Sequence, residues 1–141
     1  MKNKIALIFI GFIALVGCAK QPTFTVSGIL TNAKDQTIYL EHTALLGTTI
    51  VDSCTINVDG NYSLETTAPT YPDFYRLRVG VRSLPLAIDS TEQVQVSTSL
   101  DSLPYTLQIK GSEASVQMAQ LRATARTATR DVLREQTQKI I

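Results

Sequence analysis

The chain has 141 residues, of which 44% are apolar and 18% charged, and its formal net charge is +1. This length suits one domain, and a charge so close to zero excludes the strongly basic surface of a nucleic-acid-binding protein. With two cysteines and one histidine, neither a zinc cluster nor a disulfide framework is expected, and we predict no metal, no cofactor and no nucleic-acid partner.

The first 17 residues have the features of a secretory signal peptide. Lys2 and Lys4 give a basic start, and residues 5–16 form an apolar run. Twelve helical residues span about 18 Å, against roughly 30 Å for the hydrocarbon core of a bilayer, so the run is too short to cross a membrane. We therefore predict a signal peptide over residues 1–17.

The apolar run ends in Leu15-Val16-Gly17-Cys18, which resembles the lipobox of bacterial lipoproteins. The resemblance implies that Cys18 becomes the first mature residue, with a thioether-linked diacylglyceryl group and an N-acyl chain such as palmitate. Two or more acyl chains hold a protein firmly on a bilayer. The alternative is a plain signal peptide in which Cys18 is incidental.

Lipidation at Cys18 would make residues 18–22 a short tether to the membrane. The mature chain would have a net charge of −1, since the leader contains Lys2 and Lys4. The residue after Cys18 is Ala rather than the Asp that retains some lipoproteins at the inner membrane. We expect a lipid anchor in the bacterial cell envelope, at the outer membrane and facing the periplasm.

From residue 23 to residue 110 the hydrophobic pattern has a period close to two, typical of half-buried strands. Residues 32–35 and Asp59-Gly60-Asn61 predict tight turns. Seven or eight short strands with such turns predict a mainly β domain over residues 23–111, an antiparallel β-sandwich or open barrel, followed by one helix. The positions expected on buried faces include Phe24, Val26, Leu30, Ile38, Leu40, Cys54, Ile56, Val58, Tyr75, Leu77, Val79, Val81, Val94, Val96, Leu107 and Ile109.

The period changes to that of a helix after the last predicted strand. Ser112 is a suitable N-cap, and Glu113 in the first turn is favourable to the macrodipole. We predict a helical connector over residues 112–141, and because it stops on Ile140-Ile141 without a C-cap, we expect it to be truncated. Its apolar stripe is rich in Ala and needs a partner surface. The stripe consists of Ala114, Met118, Leu121, Ala125, Ala128 and Val132.

Residues 24 to about 121 resemble the family of the domain of unknown function 4369. The resemblance implies a β-domain that directly follows a lipobox in Gram-negative lipoproteins and precedes a helical connector and a thioredoxin-like or peroxiredoxin domain. No residue here matches the Cys-x-x-Cys site of those longer relatives. The similar stretches, in order, are Phe24-Thr25-Val26-Ser27-Gly28, Ile38-Tyr39-Leu40, Val51-Asp52-Ser53, Asp59-Gly60-Asn61-Tyr62-Ser63-Leu64, Tyr75-Arg76-Leu77, Ile88-Asp89, Val94-Gln95-Val96 and Ile109-Lys110-Gly111-Ser112-Glu113.

Cys54 and His42 are the side chains best suited to chemistry, and each has a simpler explanation. Cys54 is the thiol that remains after lipidation, with no His, Lys or second Cys close in sequence, so a buried, inert thiol is expected. A mixed or intermolecular disulfide is the alternative. His42 supplies one ligand where a metal needs three or four. We predict no catalytic residue in this chain.

Tyr71, Phe74 and Tyr75 lie near Arg76 and Arg78 in sequence, a combination of aromatic and basic side chains that suits a carbohydrate or an anion. The simpler explanation is a loop on the sandwich edge, with arginines on the opposite strand face from Tyr75 that discourage pairing with another edge. The aromatic and basic residues are therefore a candidate binding site.

A second basic feature lies on the predicted helix, where arginines recur at a spacing of four. Residues 112–141 have a net charge of +2, against −3 for residues 19–111. This ridge would dock on its own acidic domain, on a periplasmic protein partner or on anionic lipid head groups, whereas the simpler explanation is a solvated face. The four arginines are Arg122, Arg126, Arg130 and Arg134.

Three functions are consistent with the sequence. The first is a lipid-anchored, periplasm-facing, non-catalytic β-domain that serves as a spacer or protein-interaction module. The second is the N-terminal fragment of a membrane-anchored thiol-disulfide oxidoreductase or peroxidase whose catalytic domain is missing from this chain. The third is a lipoprotein that binds a glycan or another small ligand through the aromatic loop.

Overall fold

Two β-sheets packed face to face form the body of the protein, and one long helix follows them in the computed structural model, which describes residues 17–140. Apart from Gly17, the predicted signal peptide lies outside the described residues. A single turn of 3-10 helix at Leu103–Tyr105 comes before the last strand. The strands are β1 Thr23–Thr31, β2 Thr37–Ala44, β3 Gly47–Thr55, β4 Asn61–Thr67, β5 Asp73–Val79, β6 Arg82–Ile88, β7 Gln93–Val96, β8 Thr98–Ser99 and β9 Ile109–Lys110, and the helix α1 is Glu113–Lys139.

The strand order confirms the predicted mainly β fold. The first sheet has the order β4-β1-β7-β9, with β8 also paired to β1, and the second has the order β3-β2-β5-β6. The second sheet is antiparallel throughout. In the first sheet, however, β1 pairs in parallel with β7 and β8, which differs from the expected antiparallel arrangement. The alternation of apolar and polar residues within a strand shows which face of that strand is buried. It does not show whether a neighbouring strand from a distant part of the chain runs parallel or antiparallel to it.

The core lies between the two sheets and is filled by alternate residues of the longer strands, as the period of two predicts. Val58, Val81 and Leu107 were expected there and are exposed instead. Val58 and Val81 lie in turns and Leu107 in the loop before β9, where the chain no longer alternates between faces. The largest fully buried side chains are Phe24, Leu30, Ile38, Leu40, Ile56, Leu64, Leu77, Leu84, Leu86, Ile88, Leu103 and Val26.

Two serine side chains at the start of α1 hold the helix against the edge strand β6. Ser112 is the predicted N-cap, and its hydroxyl accepts a hydrogen bond from the Ser115 backbone N–H at 3.3 Å. The Ala87 backbone N–H donates to the Ser115 hydroxyl at 3.0 Å, and both serine hydroxyls donate to the Ala87 carbonyl. The helix therefore satisfies the outward backbone groups of Ala87 on an edge strand, which would otherwise be free to pair with another chain.

The apolar stripe predicted for the helix, from Ala114 to Val132, does not form the packed face. The buried residues of α1 are Ser115 and Ala119, whereas Leu121 and Val132 are exposed. A search for apolar periodicity misses this contact because it depends on serine hydroxyls bonded to a strand edge. Residues 124–140 are all exposed.

One end of the sandwich, which we call the tether end, contains the start of β1, the tip of the β2–β3 hairpin and the loop of residues 68–72. The Ala68 backbone N–H donates to the Pro22 carbonyl at 2.9 Å, which ties this loop to the chain just before β1. His42 lies opposite Tyr75 in the antiparallel β2–β5 pair, so the hairpin tip extends past the start of β5.

The opposite end, which we call the far end, contains the turn of Gly80 and Val81 between β5 and β6. Arg82, at the start of β6, contacts Asp101 there. Helix α1 begins at the tether end, where Ser112 meets Ala87, and farther along it the Arg126 guanidinium lies 4.5 Å from the centre of the Tyr105 ring. The later residues of α1 therefore project beyond the far end of the sandwich.

Candidate functional site

A cleft of about 630 Å³ opens at the tether end, between the two sheets. The loop of residues 68–72 forms one wall, the end of β4 contributes Thr66 and Thr67, and His42 and Val51 come from β2 and β3. Polar side chains from the end of β2, the end of β4 and the start of β5 therefore face the same space. The cleft is a candidate site for a small ligand on the sandwich.

A histidine and a carboxylate form a pair in this cleft. The Nε2 atom of His42 lies 2.7 Å from Oδ2 of Asp73. This hydrogen bond, with a second one from the Phe74 backbone N–H, lowers the pKa of Asp73 below its ordinary value. The His42 ring also packs on Tyr75 with centroids 5.1 Å apart, and Tyr75 meets Phe24 edge to face at 4.8 Å. The pair is therefore held in place by aromatic rings from the core.

The structure divides the predicted aromatic and basic site into two parts. Tyr71 and Tyr75 line the cleft, where Tyr71 is 78% exposed and Tyr75 is buried. Phe74, Arg76 and Arg78 lie on the other face of β5, since successive residues of a strand point to opposite sides. They do not converge with Tyr71 on one surface.

On that outer face, Arg76 and Arg78 both bind Glu41 of β2. The Nε of Arg76 donates to Oε2 of Glu41, and the Nε of Arg78 donates to Oε1 at 2.7 Å. Burial by itself raises the pKa of the buried Glu41 carboxyl, but the hydrogen bonds and charges of the two arginines outweigh it and hold the pKa below the ordinary value. Arg78 also lies over the Tyr39 ring at 4.5 Å and donates to the Gly80 carbonyl. Both guanidinium groups therefore have partners within the protein.

The two cysteines differ in exposure and position. Cys18 is exposed, five residues before the start of β1, in the stretch predicted to be the tether. Cys54 is half-buried at the end of β3 and packs against the core. Its thiol is therefore less enclosed than the sequence predicts. Both thiols are free. Between residues 17 and 140 no cluster of three or more His, Cys, Asp or Glu side chains is arranged to hold a metal ion.

The four arginines of the predicted ridge meet different surroundings along α1. Arg126 contacts Tyr105 of the sandwich, and Arg122 is half-buried. Arg130 and Arg134 are exposed on the projecting part of the helix, beside the exposed Val132 and Leu133. The basic ridge is therefore divided between a domain contact and a free surface.

The comparisons with known proteins identify one family. The model of a family described as a domain of unknown function (DUF4369) matches residues 24–118, which include β1 from its second residue, the strands β2 to β9 and the first turns of α1. No curated protein and no solved structure matches the chain. For the residues that the structure describes, α1 lacks the length of apolar sequence that a membrane-spanning helix requires.

Proposed function

This chain belongs to the DUF4369 family, and we propose that it is a lipid-anchored, non-catalytic spacer of the bacterial cell envelope. In this proposal Cys18 holds the sandwich on the outer membrane, and α1 extends into the periplasm as a connector or docking helix. One observation supports the proposal: the chain leaves toward Cys18 at one end of the sandwich, and the later residues of α1 project beyond the other end.

The distances along the chain suit a spacer. Residues 18–22 extend over at most about 18 Å, so an acylated Cys18 would keep the start of β1 close to the bilayer surface. The nine residues of β1 add about 30 Å. The exposed residues 127–140 of the helix region add about 20 Å more. The tip of the helix would thus be held several tens of ångströms from the membrane.

The projecting part of α1 has the composition of a docking surface. Val132 and Leu133 are 54% and 58% exposed, and charged side chains of both signs flank them, namely Arg130, Asp131, Arg134 and Glu135. Apolar side chains with a charged rim suit a protein partner or a further domain. This supports a role in which the sandwich positions a partner instead of acting on a substrate.

Replacing Cys18 with Ala tests the anchor. We expect the wild-type protein in the membrane fraction of a bacterium that processes lipoproteins, and Cys18→Ala in the soluble fraction or retained as an unprocessed precursor. The reason is that each buried acyl methylene contributes about 0.8 kcal/mol to membrane binding, and the variant would lack all of them. Fractionation and mass spectrometry of the wild-type N-terminus provide the measurements.

The matched control is Cys54→Ala, which removes the other thiol and should leave the protein in the membrane fraction. A mature wild-type protein whose Cys18 thiol is unmodified would contradict the proposal. So would a processed Cys18→Ala protein that remains in the membrane fraction as completely as the wild type.

The cleft supports a second candidate function, the binding of a glycan or another small polar ligand. The observation that favours it is the His42–Asp73 pair beside the exposed ring of Tyr71, because a hydrogen-bonding pair next to an aromatic face suits a sugar. A ligand present at about 100 times its Kd would stabilise the fold by about 2.7 kcal/mol. We therefore expect a rise in Tm with one member of a panel of oligosaccharides, and its loss in Tyr71→Ala.

The control for the cleft is Phe74→Ala, which removes an exposed aromatic ring on the other face of β5 and should keep the ligand-dependent rise in Tm. If no oligosaccharide raises the Tm of the wild-type protein, the binding function is rejected. Equal losses in Phe74→Ala and Tyr71→Ala would place the binding elsewhere than in the cleft.

A further inference from the structure

The β2–β3 hairpin ends in two leucines that no part of the sandwich covers. Leu45 and Leu46 are fully exposed, and Ile50 on the same hairpin is 53% exposed. Residues 43–51 contain no charged side chain. Single exposed apolar residues are common on protein surfaces, but an uncharged segment of nine residues with three exposed large apolar side chains indicates an interaction surface.

The hairpin projects beyond the body of the sandwich. Its β2 strand pairs with β5 over residues 39–42, and past His42 the pairing of β2 continues with β3 alone. Continuing this register places Ala44 level with Asp73, the first residue of β5, so Leu45 and Leu46 lie past the end of that strand. Residues 43–50 are all exposed, so the tip can leave water for an apolar environment without disturbing the core.

The tip lies at the end of the sandwich where the chain leaves toward Cys18. The loop of residues 68–72 adjoins the start of β5, and its Ala68 backbone N–H is bonded to the Pro22 carbonyl. A tether of residues 18–22 spans at most about 18 Å, so an anchor on Cys18 would bring this end to the bilayer surface. Tyr71, also at this end, is 78% exposed, and tyrosine rings favour the boundary between acyl chains and water.

We propose that Leu45 and Leu46 insert into the lipid bilayer beside the acylated Cys18, with Tyr71 at the level of the head groups. The proposal rests on the lipid anchor described under the proposed function and adds a second, non-covalent contact. Two contacts at one end fix the tilt of the sandwich, whereas acyl chains on a flexible tether leave it free to tumble. The projecting part of α1 would then point away from the membrane in a defined direction.

The absence of tryptophan from the chain gives a direct test. Leu46→Trp places a single fluorophore at the tip of the hairpin. The matched control is Val81→Trp, because Val81 is also fully exposed in a hairpin turn, but at the far end. Each variant is expressed from the full-length sequence, purified in its lipidated form and reconstituted into phosphatidylethanolamine and phosphatidylglycerol vesicles, with and without bromine on the acyl chains.

We expect the emission of Leu46→Trp to shift to the blue on reconstitution and to be quenched by brominated acyl chains. We expect neither change for Val81→Trp. If both variants float with the vesicles and Leu46→Trp keeps the emission of an indole in water, insertion is overturned while the anchor stands. A blue shift that grows with protein concentration in the absence of vesicles would show that the tip binds a second copy of the chain. This result would also overturn insertion.

A third experiment tests insertion of the hairpin independently of the lipid anchor. If the protein lacks acyl chains and does not float, the proposed anchor fails. The Cys18 thiol of full-length Leu46→Trp, in a Cys54→Ser background, is then coupled to a maleimide lipid in the same vesicles. Quenching by brominated chains in that preparation supports insertion of the hairpin, and its absence overturns insertion.

Discussion

Replacing Gly111 with Ala is expected to lower the free energy of unfolding by roughly 2–4 kcal/mol. Gly111 has φ of 83°, a backbone conformation that L side chains rarely adopt, and an added Cβ would lie 1.9 Å from the carbonyl oxygen of Gln93. Gln93 begins β7, which is paired with β1 in the middle of the first sheet. The backbone of β7 has little freedom to retreat, so the substitution has to displace Gly111 and the start of α1.

Gly80→Ala separates the clash from the backbone strain. Gly80 has φ of 58°, also positive, yet among the described residues no atom outside its two chain neighbours lies within 4 Å of its added Cβ. We expect Gly80→Ala to lose about 1 kcal/mol from strain alone. Urea unfolding followed by circular dichroism at constant temperature measures both variants. Equal losses in the two variants would mean that close approach to Gln93 contributes nothing.

The same position determines how α1 meets the sandwich. Gly111 directly precedes Ser112, whose hydroxyl binds the Ala87 carbonyl on the edge of β6. If Gly111 moved away from β7, the serine hydroxyls would separate from Ala87 and the first turn of the helix would be released. Since the proposed spacer depends on the direction of α1, the close approach of Gly111 to β7 is as important to function as to stability.

The sequence predicts the elements whose signal is local. Alternation places Phe24, Val26 and Leu30 on the buried face of β1, and the N-cap Ser112 marks the start of α1 within one residue. Both signals depend on neighbours a few residues apart. Val58 and Val81 were misplaced because turn residues extend an alternating pattern in sequence without extending the strand.

The candidate sites were harder to predict because their partners are distant in sequence. His42 and Asp73 are separated by 31 residues, and Glu41 is 35 residues from Arg76. No local pattern joins such residues before the strand order is known. The prediction grouped Tyr71 with Arg76 and Arg78 because these residues are close in sequence. The alternation of β5, however, already places Tyr75 and the two arginines on opposite faces of the sheet.

Glu41→Gln is expected to lower the free energy of unfolding at pH 7 by about 1–3 kcal/mol, which is the range for losing hydrogen bonds to a charged group. The substitution keeps the size of the side chain but leaves Arg76 and Arg78, two like charges on neighbouring positions of one strand face, without their carboxylate. The side chains of Arg76 and Arg78 are 39% and 26% exposed. They recover part of their hydration, so the loss stays below that of a fully buried pair.

The effect of Glu41→Gln should depend on pH with a definite sign. Folding lowers the pKa of Glu41 below 4.5, so the unfolded chain binds more protons as the pH falls past this value. The stabilisation by the carboxylate is complete above about pH 4.5 and is lost as the pH falls through the lower pKa of the folded protein. The difference between wild type and Glu41→Gln should therefore shrink from pH 7 to pH 3, measured by urea unfolding at each pH.

Asp101→Asn serves as the control for this pH series. Asp101 pairs with Arg82 at 3.1 Å, but its side chain is 75% exposed, and exposed pairs contribute about 0–1 kcal/mol. The lowered pKa of Asp73 is common to wild type and Glu41→Gln and cancels in their difference. A loss in Glu41→Gln no larger than in Asp101→Asn, or one that persists undiminished at pH 3, would show that the Glu41 carboxylate does not hold β2 and β5 together through its charge.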